Sequence, residues 1–213
     1  MATYPDTVAM TKKCYMIFHQ GRMYLADDNQ PEVFDPVTNT WSNWTRPPTT
    51  MCFSCLVSWN NYIFQFGGNT PVYSRQVQKY DPSTDKWTNI STKPPFDIYH
   101  SGCVTLPNGN VLIVGSMATS ATAYTEYDVV RNVWSPVIHG KVLEFDSTPL
   151  VLGSRVFVIP PSGPKPVEEY IYGSSSLSFS ALNLSITTFY KPAAVAVPAR
   201  WFSHIPGGCY GIK

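Results

Sequence analysis

The sequence predicts an all-β fold built from tandem copies of one four-stranded sheet, and three observations carry that prediction. An aspartate followed six residues later by tryptophan recurs three times: Val33-Phe34-Asp35-Pro36 then Trp41, Lys79-Tyr80-Asp81-Pro82 then Trp87, and Glu126-Tyr127-Asp128 then Trp134. A short apolar segment lies upstream of each, at Arg22 to Ala26, Tyr62 to Gly68 and Asn110 to Ser116. The 213 residues include 19 prolines and 13 glycines with 14% aromatics, a composition of turns and strands rather than long helices. A coiled coil and a helical bundle are excluded on this basis.

Each element of the unit has a local reason. The first strand contains Cys14, Cys55 or Cys103, each twelve residues ahead of Ala26, Gly67 or Gly115, and this interval places the three cysteines at one repeat position on the innermost strand. Leu106-Pro107-Asn108-Gly109-Asn110 supplies a hairpin turn, because Asn and Gly tolerate positive φ. In the Asp-Pro-x-Thr-x-x-Trp turn the aspartate caps, proline fixes φ, and tryptophan anchors the last strand. The third unit is expected to run as strands over 100–106, 110–115, 123–128 and 133–138. The period is 41 to 48 residues by count along the chain. A fourth copy, without its tryptophan, runs from Pro149 through Pro160-Pro161 to Tyr170, and a fifth begins at Arg200 and reaches Gly207-Gly208. A lone four-stranded sheet cannot bury both faces, and stacking successive sheets around an axis solves this as a β-propeller.

The diglycine Gly67-Gly68 closing an apolar strand, the Tyr80-Asp81-Pro82 turn and Trp87 resemble the kelch family. The second unit carries the resemblance best; Ala26-Asp27, Gly115-Ser116 and Pro160-Pro161 replace the diglycine elsewhere. It implies a kelch-type β-propeller over 14–213, with repeats near 14–50, 51–98, 99–140 and 141–191, a partial fifth at 192–213, and an N-terminal arm at 1–13. Kelch propellers close with five to seven blades, so four blades and part of a fifth imply an incomplete ring. Three routes to closure are a fragment's missing sequence, strands from another chain, and the N-terminal arm completing a cramped fifth blade. Completion by a partner or by sequence outside these residues is the favoured expectation.

Fifteen basic against fourteen acidic residues give a net charge of +1, so no bulk field attracts nucleic acid or an anionic membrane. No apolar run reaches the ~18 residues of a membrane-spanning helix. Residues 1 to 10 lack a basic segment followed by an apolar one, so the leader of a secreted form is expected outside this sequence. No nucleophile elbow, phosphate loop, His-Glu-x-x-His or calcium loop is present, no cofactor or metal is expected, and enzyme is not the default. Glu168-Glu169 is an isolated pair expected to have one member facing solvent. Some kelch-like propellers are secreted copper-radical oxidases, but His19, His100, His139 and His204 fall at unrelated repeat positions, and that reading ranks lowest. The cysteines read either as a ring of thiols for a soft metal or as small buried packing residues, and packing is favoured. Five widely spaced cysteines do not make a dense disulfide framework, and Cys52 with Cys55 has no second pair for a zinc ribbon.

Three N-glycosylation sequons start at Asn43, Asn89 and Asn183, and the first two lie two residues after the repeat tryptophan, on the outermost strand. They weigh toward extracellular over cytoplasmic placement, against the alternative that duplication copied one ancestral asparagine. The loops between second and third strands and between successive units emerge on one face. They carry Arg46, Tyr73, Arg75, Lys93, Phe96, Tyr99 and His100 beside Pro47-Pro48 and Pro94-Pro95, a combination suited to a preorganised protein-binding surface. Proline spacers and aromatic plugs between blades are the equal alternative for these residues. Two functions are therefore carried forward: a non-enzymatic interaction module binding a protein through its loops, and a structural subunit of an extracellular or filamentous assembly joined through open propeller edges.

Overall fold

The computed structural model describes residues 15–26, 31–49, 53–70, 72–73, 75–116, 122–139, 147–160, 167–172 and 181–182. The expected N-terminal arm (1–13), the partial fifth unit (192–213), Cys14, His204 and Asn183 lie outside them. The first blade comprises β1 (Tyr15–His19), β2 (Arg22–Ala26), β3 (Glu32–Asp35) and β4 (Thr40–Asn43). The second comprises β5 (Ser54–Trp59), β6 (Tyr62–Gly67), β9 (Val77–Asp81) and β10 (Lys86–Ile90), with a small hairpin, β7 (Asn69–Thr70) and β8 (Val72–Tyr73), between its second and third strands. The third is β11 (Gly102–Thr105), β12 (Val111–Ser116), β13 (Thr122–Asp128), β14 (Val133–Trp134) and β15 (Ile138–His139); the fourth is β16 (Thr148–Leu152), β17 (Arg155–Ile159), β18 (Val167–Tyr170) and β19 (Ala181–Leu182). Every pairing within a blade is antiparallel and between chain neighbours, except that β6 pairs with β9 past the small hairpin and β13 also pairs with β15; the innermost strands β1, β5, β11 and β16 adjoin in succession. Among the described residues this is a four-bladed propeller arrangement.

The repeated turn behaves as its residues dictate. The Asp35 carboxylate accepts from the Val37 and Thr38 amides at 2.9 and 3.4 Å, Asp81 from the Ser83 amide at 2.9 Å, and Asp128 from the Val130 and Arg131 amides at 3.0 and 2.8 Å. Asp128 makes the turn with Val129 in the proline's place, so the cap rather than the ring fixes the bend. The turn ends on Asn39, Asp85 and Asn132 with φ of 55°, 53° and 58°, and Asn and Asp are the non-glycine residues that tolerate this left-handed region. The tryptophan then lies against the strand-three aromatic. Phe34–Trp41, Tyr80–Trp87 and Tyr127–Trp134 have centroids 5.0, 5.1 and 4.7 Å apart at tilts of 39°, 39° and 36°, a symmetry-related setting in three blades.

Strand alternation distributes the core. Cys55, Val57, Phe64, Phe66 and Val77 of blade two pack on Val111, Ile113, Ala123 and Tyr127 of blade three. The opposite face of blade two sends Ile63 and Tyr80 against Tyr24, Ala26 and Val33 of blade one. Blade three's other face, with Leu112, Val114 and Tyr124, meets Val156, Val158 and Tyr170 of blade four. Each interface thus joins unlike faces, one turned forward and one turned back.

The outermost strand of blade three departs from the expected continuous 133–138. Tyr127 pairs with Trp134 and Tyr124 with Ile138, a one-residue slip that marks a bulge. Pro136 has no amide hydrogen to give the ladder. Ser135 fills in: its amide donates to the Glu126 carbonyl at 2.9 Å, and its hydroxyl accepts from the Glu126 amide at 2.8 Å.

Candidate functional site

At the axis, Cys55 and Cys103 form a disulfide that joins β5 of blade two to β11 of blade three, with Cα atoms 5.8 Å apart. The expectation that Cys14, Cys55 and Cys103 share one repeat position is corrected by the register. Cys55 pairs with Phe66, and the residues with that pairing elsewhere are Tyr15 opposite Ala26 and Gly102 opposite Val114. Cys103 sits one residue further along, opposite Ile113, at the place held by Leu56 in blade two and Pro149 in blade four. A single step reverses the direction of a side chain on a strand. Cys55 therefore faces forward to blade three while Cys103 faces back to blade two, and only that difference lets them bond. The corresponding residues between blades one and two, Tyr15 and Leu56, both pack against the core those blades share. Between blades three and four the approach is so close that a Cβ on Gly102 would lie 2.3 Å from the Pro149 ring. The covalent link replaces the soft-metal reading for these two thiols, which also pack in the core between blades two and three as expected.

The loop face receives the other candidate residues. Arg46, Arg75 and Lys93 are exposed, and Arg75 pairs with Asp97 at 2.7 Å across the two loops expected to share a face. The Tyr73 backbone belongs to β8. Tyr99 and His100 are half-buried and gather with Phe53: centroids are 4.1 Å apart for Phe53–His100, 4.9 Å for Phe53–Tyr99 and 4.3 Å for Tyr99–His100. Phe53 and His100 occupy one repeat position, two residues before Cys55 and Gly102, and both hold positive φ, 61° and 49°. Non-glycine residues in that region each carry ~1–3 kcal/mol of backbone strain, which the surrounding packing must offset. Phe53 and Asp97 were not legible as members of this group, because neither stands beside a motif.

Phe96 is corrected: it is 1% exposed, in the core between blades two and three, and offers nothing to a partner. The glycines explain its place. A Cβ on Gly115 would lie 3.0 Å from the Phe96 ring, and one on Gly67 would lie 2.2 Å from the Ile98 carbonyl oxygen. Gly67 also needs its φ of 72°. The bare backbone at the end of each second strand is the slot into which the inter-blade connection lays Phe96 and Ile98.

Polar groups between the blades are satisfied in pairs. The Tyr124 hydroxyl donates to Glu168 and the Tyr170 hydroxyl to Glu126, each at 2.6 Å, a reciprocal clasp across blades three and four. Burial first, and the facing carboxylate second, hold both phenols far above the ordinary tyrosine range, so they remain donors. Tyr127 is pushed up to about 12, by burial and then by the Asp128 charge. Asp85 accepts from the Thr45 amide and hydroxyl, both at 2.8 Å, and from the Tyr80 hydroxyl at 2.6 Å. Partial burial pulls its pKa upward, and these bonds outweigh that to leave it low. Glu168 and Glu169 lie on opposite faces, the first buried on blade three and the second paired with Arg155 at 2.7 Å, so they do not converge as an acid–base pair. Among the described residues no three His, Cys, Asp or Glu side chains gather as a metal site. No described helix is long and apolar enough to cross a membrane.

Repeated four-stranded blades, the tryptophan-anchored turn and the glycine slot define a kelch-type β-propeller, and the chain is similar to kelch-repeat proteins. Residues 50–94 match the family profile described as Kelch motif. Kelch-like protein 25 of Xenopus tropicalis is 24% identical over 132 residues, covering 61% of this chain and 22% of its own length. Kelch-like protein 15 of Homo sapiens is 24% identical over 109 residues, covering 46% and 18%. The chain thus spans about a fifth of the length of these relatives. Among solved structures, that of YjhT superposes with a TM-score of 0.67 at 12% identity, over 84% of this chain and 67% of that one, a likeness of fold.

Proposed function

We propose that this chain is a non-enzymatic interaction module that binds a protein partner through its loop face, and that it matures in an oxidising, extracytoplasmic compartment. The observation that carries the binding role is the Phe53–Tyr99–His100 cluster, held by two left-handed backbones and flanked by the Arg75–Asp97 pair. Strained, prepositioned aromatic and guanidinium groups reduce the ordering cost of a complex, and such residues dominate interface energetics. The Cys55–Cys103 disulfide supports the compartment reading, since thioredoxin and glutathione keep cytosolic thiols reduced. A photo-crosslinking residue at position 75 or 99, compared with one at Val37 or Val130, tests the binding role. Those two valines are 91% and 81% exposed on the Asp-to-Trp turns, at the other end of the strands. Adducts from the first pair alone support the reading, and equal or greater capture from the valines refutes it.

A second reading, self-assembly through the ends of the blade series, is favoured by Met16 and Phe18. These are 59% and 61% exposed on the face of blade one turned away from blade two. Sedimentation of the full chain over a concentration series, with Phe18→Ser beside it, decides: association abolished by F18S supports assembly, and a concentration-independent monomer rejects it.

A further inference from the structure

We propose that Asn43 and Asn89 carry N-linked glycans that cover the outermost strands of the first two blades. The inference rests on the extracytoplasmic reading above and deepens it. The two residues occupy one structural position: Asn43 pairs with Glu32 and Asn89 with Gln78, so each stands at the same rung of the outermost strand of its blade. Both are exposed. The axial disulfide is an independent sign of a compartment in which the sequons meet the transferase.

The chemistry requires a lipid-linked oligosaccharide as donor. The asparagine Nδ2 bonds to the anomeric carbon, the bond from that carbon to the lipid pyrophosphate breaks, and the amide's lost proton is balanced on the departing pyrophosphate. The fold constrains when this happens. The Thr45 hydroxyl, the third residue of the first sequon, donates to Asp85 of blade two at 2.8 Å, and the Thr45 carbonyl accepts from the Trp87 indole at 2.7 Å. Trp44, the middle residue, is buried with its indole donating to the Leu25 carbonyl at 3.2 Å. Once blade two has docked, Trp44 is buried and the Thr45 hydroxyl is engaged by Asp85, so transfer precedes the joining of blades one and two.

Edge strands with free ladder groups invite further strand pairing, and a bulky hydrated group on them blocks it. Glycans at this rung lie on β4 and β10, the outer strands, away from the axis and at the end from which the inter-blade connections leave.

The test is peptide mapping of the native full-length protein, deglycosylated enzymatically in 18O water, with disulfides mapped in the same non-reduced digest. The expected result is 18O-labelled aspartate at positions 43 and 89 in most molecules, and Asn43→Gln and Asn89→Gln each removing one glycan's mass. Unlabelled asparagine at either position, in protein whose Cys55–Cys103 bond is intact, overturns the glycan proposal while the compartment reading survives. Free thiols at Cys55 and Cys103 together with unlabelled asparagines overturn both.

Discussion

Removing the axial disulfide gives the sharpest test of how the blades are held. The perturbation is Cys55→Ala with Cys103→Ala, which leaves no lone thiol to mispair. The bond closes a segment of 48 residues. Constraining a loop of that length removes about 14 cal/mol/K from the unfolded chain, which is about 4 kcal/mol at 25 °C. In a domain of this size each kcal/mol moves the melting temperature by ~2–4 °C, so the double variant is expected to melt ~8–16 °C lower. The assay is thermal unfolding by far-UV circular dichroism, with and without reductant. Wild type in reductant should fall to the variant's midpoint, and the variant should ignore reductant. The reasoning fails if the variant melts within ~2 °C of wild type, because ordinary packing across the seam would then suffice.

Four further outcomes follow from the packing and the titrating groups. Gly67→Ala must accept a φ of 72° and a Cβ 2.2 Å from the Ile98 carbonyl oxygen, whereas Gly21→Ala faces a similar φ of 79° with open space around it. Gly21→Ala should therefore cost the backbone strain alone, ~1–3 kcal/mol, and Gly67→Ala clearly more, read from denaturant midpoints. Phe96→Ala should destabilise by about 3–5 kcal/mol, the range for a fully buried aromatic, where a surface contact residue would be nearly neutral. Burial holds the His19 pKa below its ordinary 6.5, against a smaller upward pull from its Asn61 hydrogen bond. The unfolded chain then binds the extra proton first, so stability falls as pH drops through about 6.5, and His19→Gln should flatten that stretch of a stability–pH curve. Tyr124→Phe removes the donor to buried Glu168 and should cost ~1–3 kcal/mol by the same denaturant assay, with the two-strand clasp reduced to Tyr170–Glu126.

What the sequence revealed was whatever is decided within a few residues. The Asp35, Asp81 and Asp128 turns are local hydrogen-bond devices, and the tryptophan six residues on is positioned by the same turn, so the blade could be read directly. The cysteine register could not be read by counting from the glycines. Blades one and two close their first hairpin with two residues, Gln20-Gly21 and Asn60-Asn61, while blade three, where the Leu106 amide donates to the Asn110 carbonyl, uses three, Pro107 to Gly109. An equal count to the second strand therefore concealed a one-residue shift on the first, and counting back from the hairpin is the signal that exposes it. Phe96 was misjudged for a different reason. A proline-flanked connection looks exposed in one dimension, and the slot left by Gly67 and Gly115 exists only once two blades meet. The bulge at Ser135 was foreshadowed by Pro136, whose missing donor forbids a regular ladder.

The joining of a forward face to a backward face has an evolutionary consequence. Such a head-to-tail joint has no internal limit, so a duplicated blade inherits a surface that already fits its predecessor. Each seam is then free to diversify by itself, and the three axial pairs Tyr15 and Leu56, Cys55 and Cys103, Gly102 and Pro149 are three separate answers to one geometric demand. Crosslinking chemistry could accordingly arise at one seam by two substitutions, without disturbing the rest of the molecule.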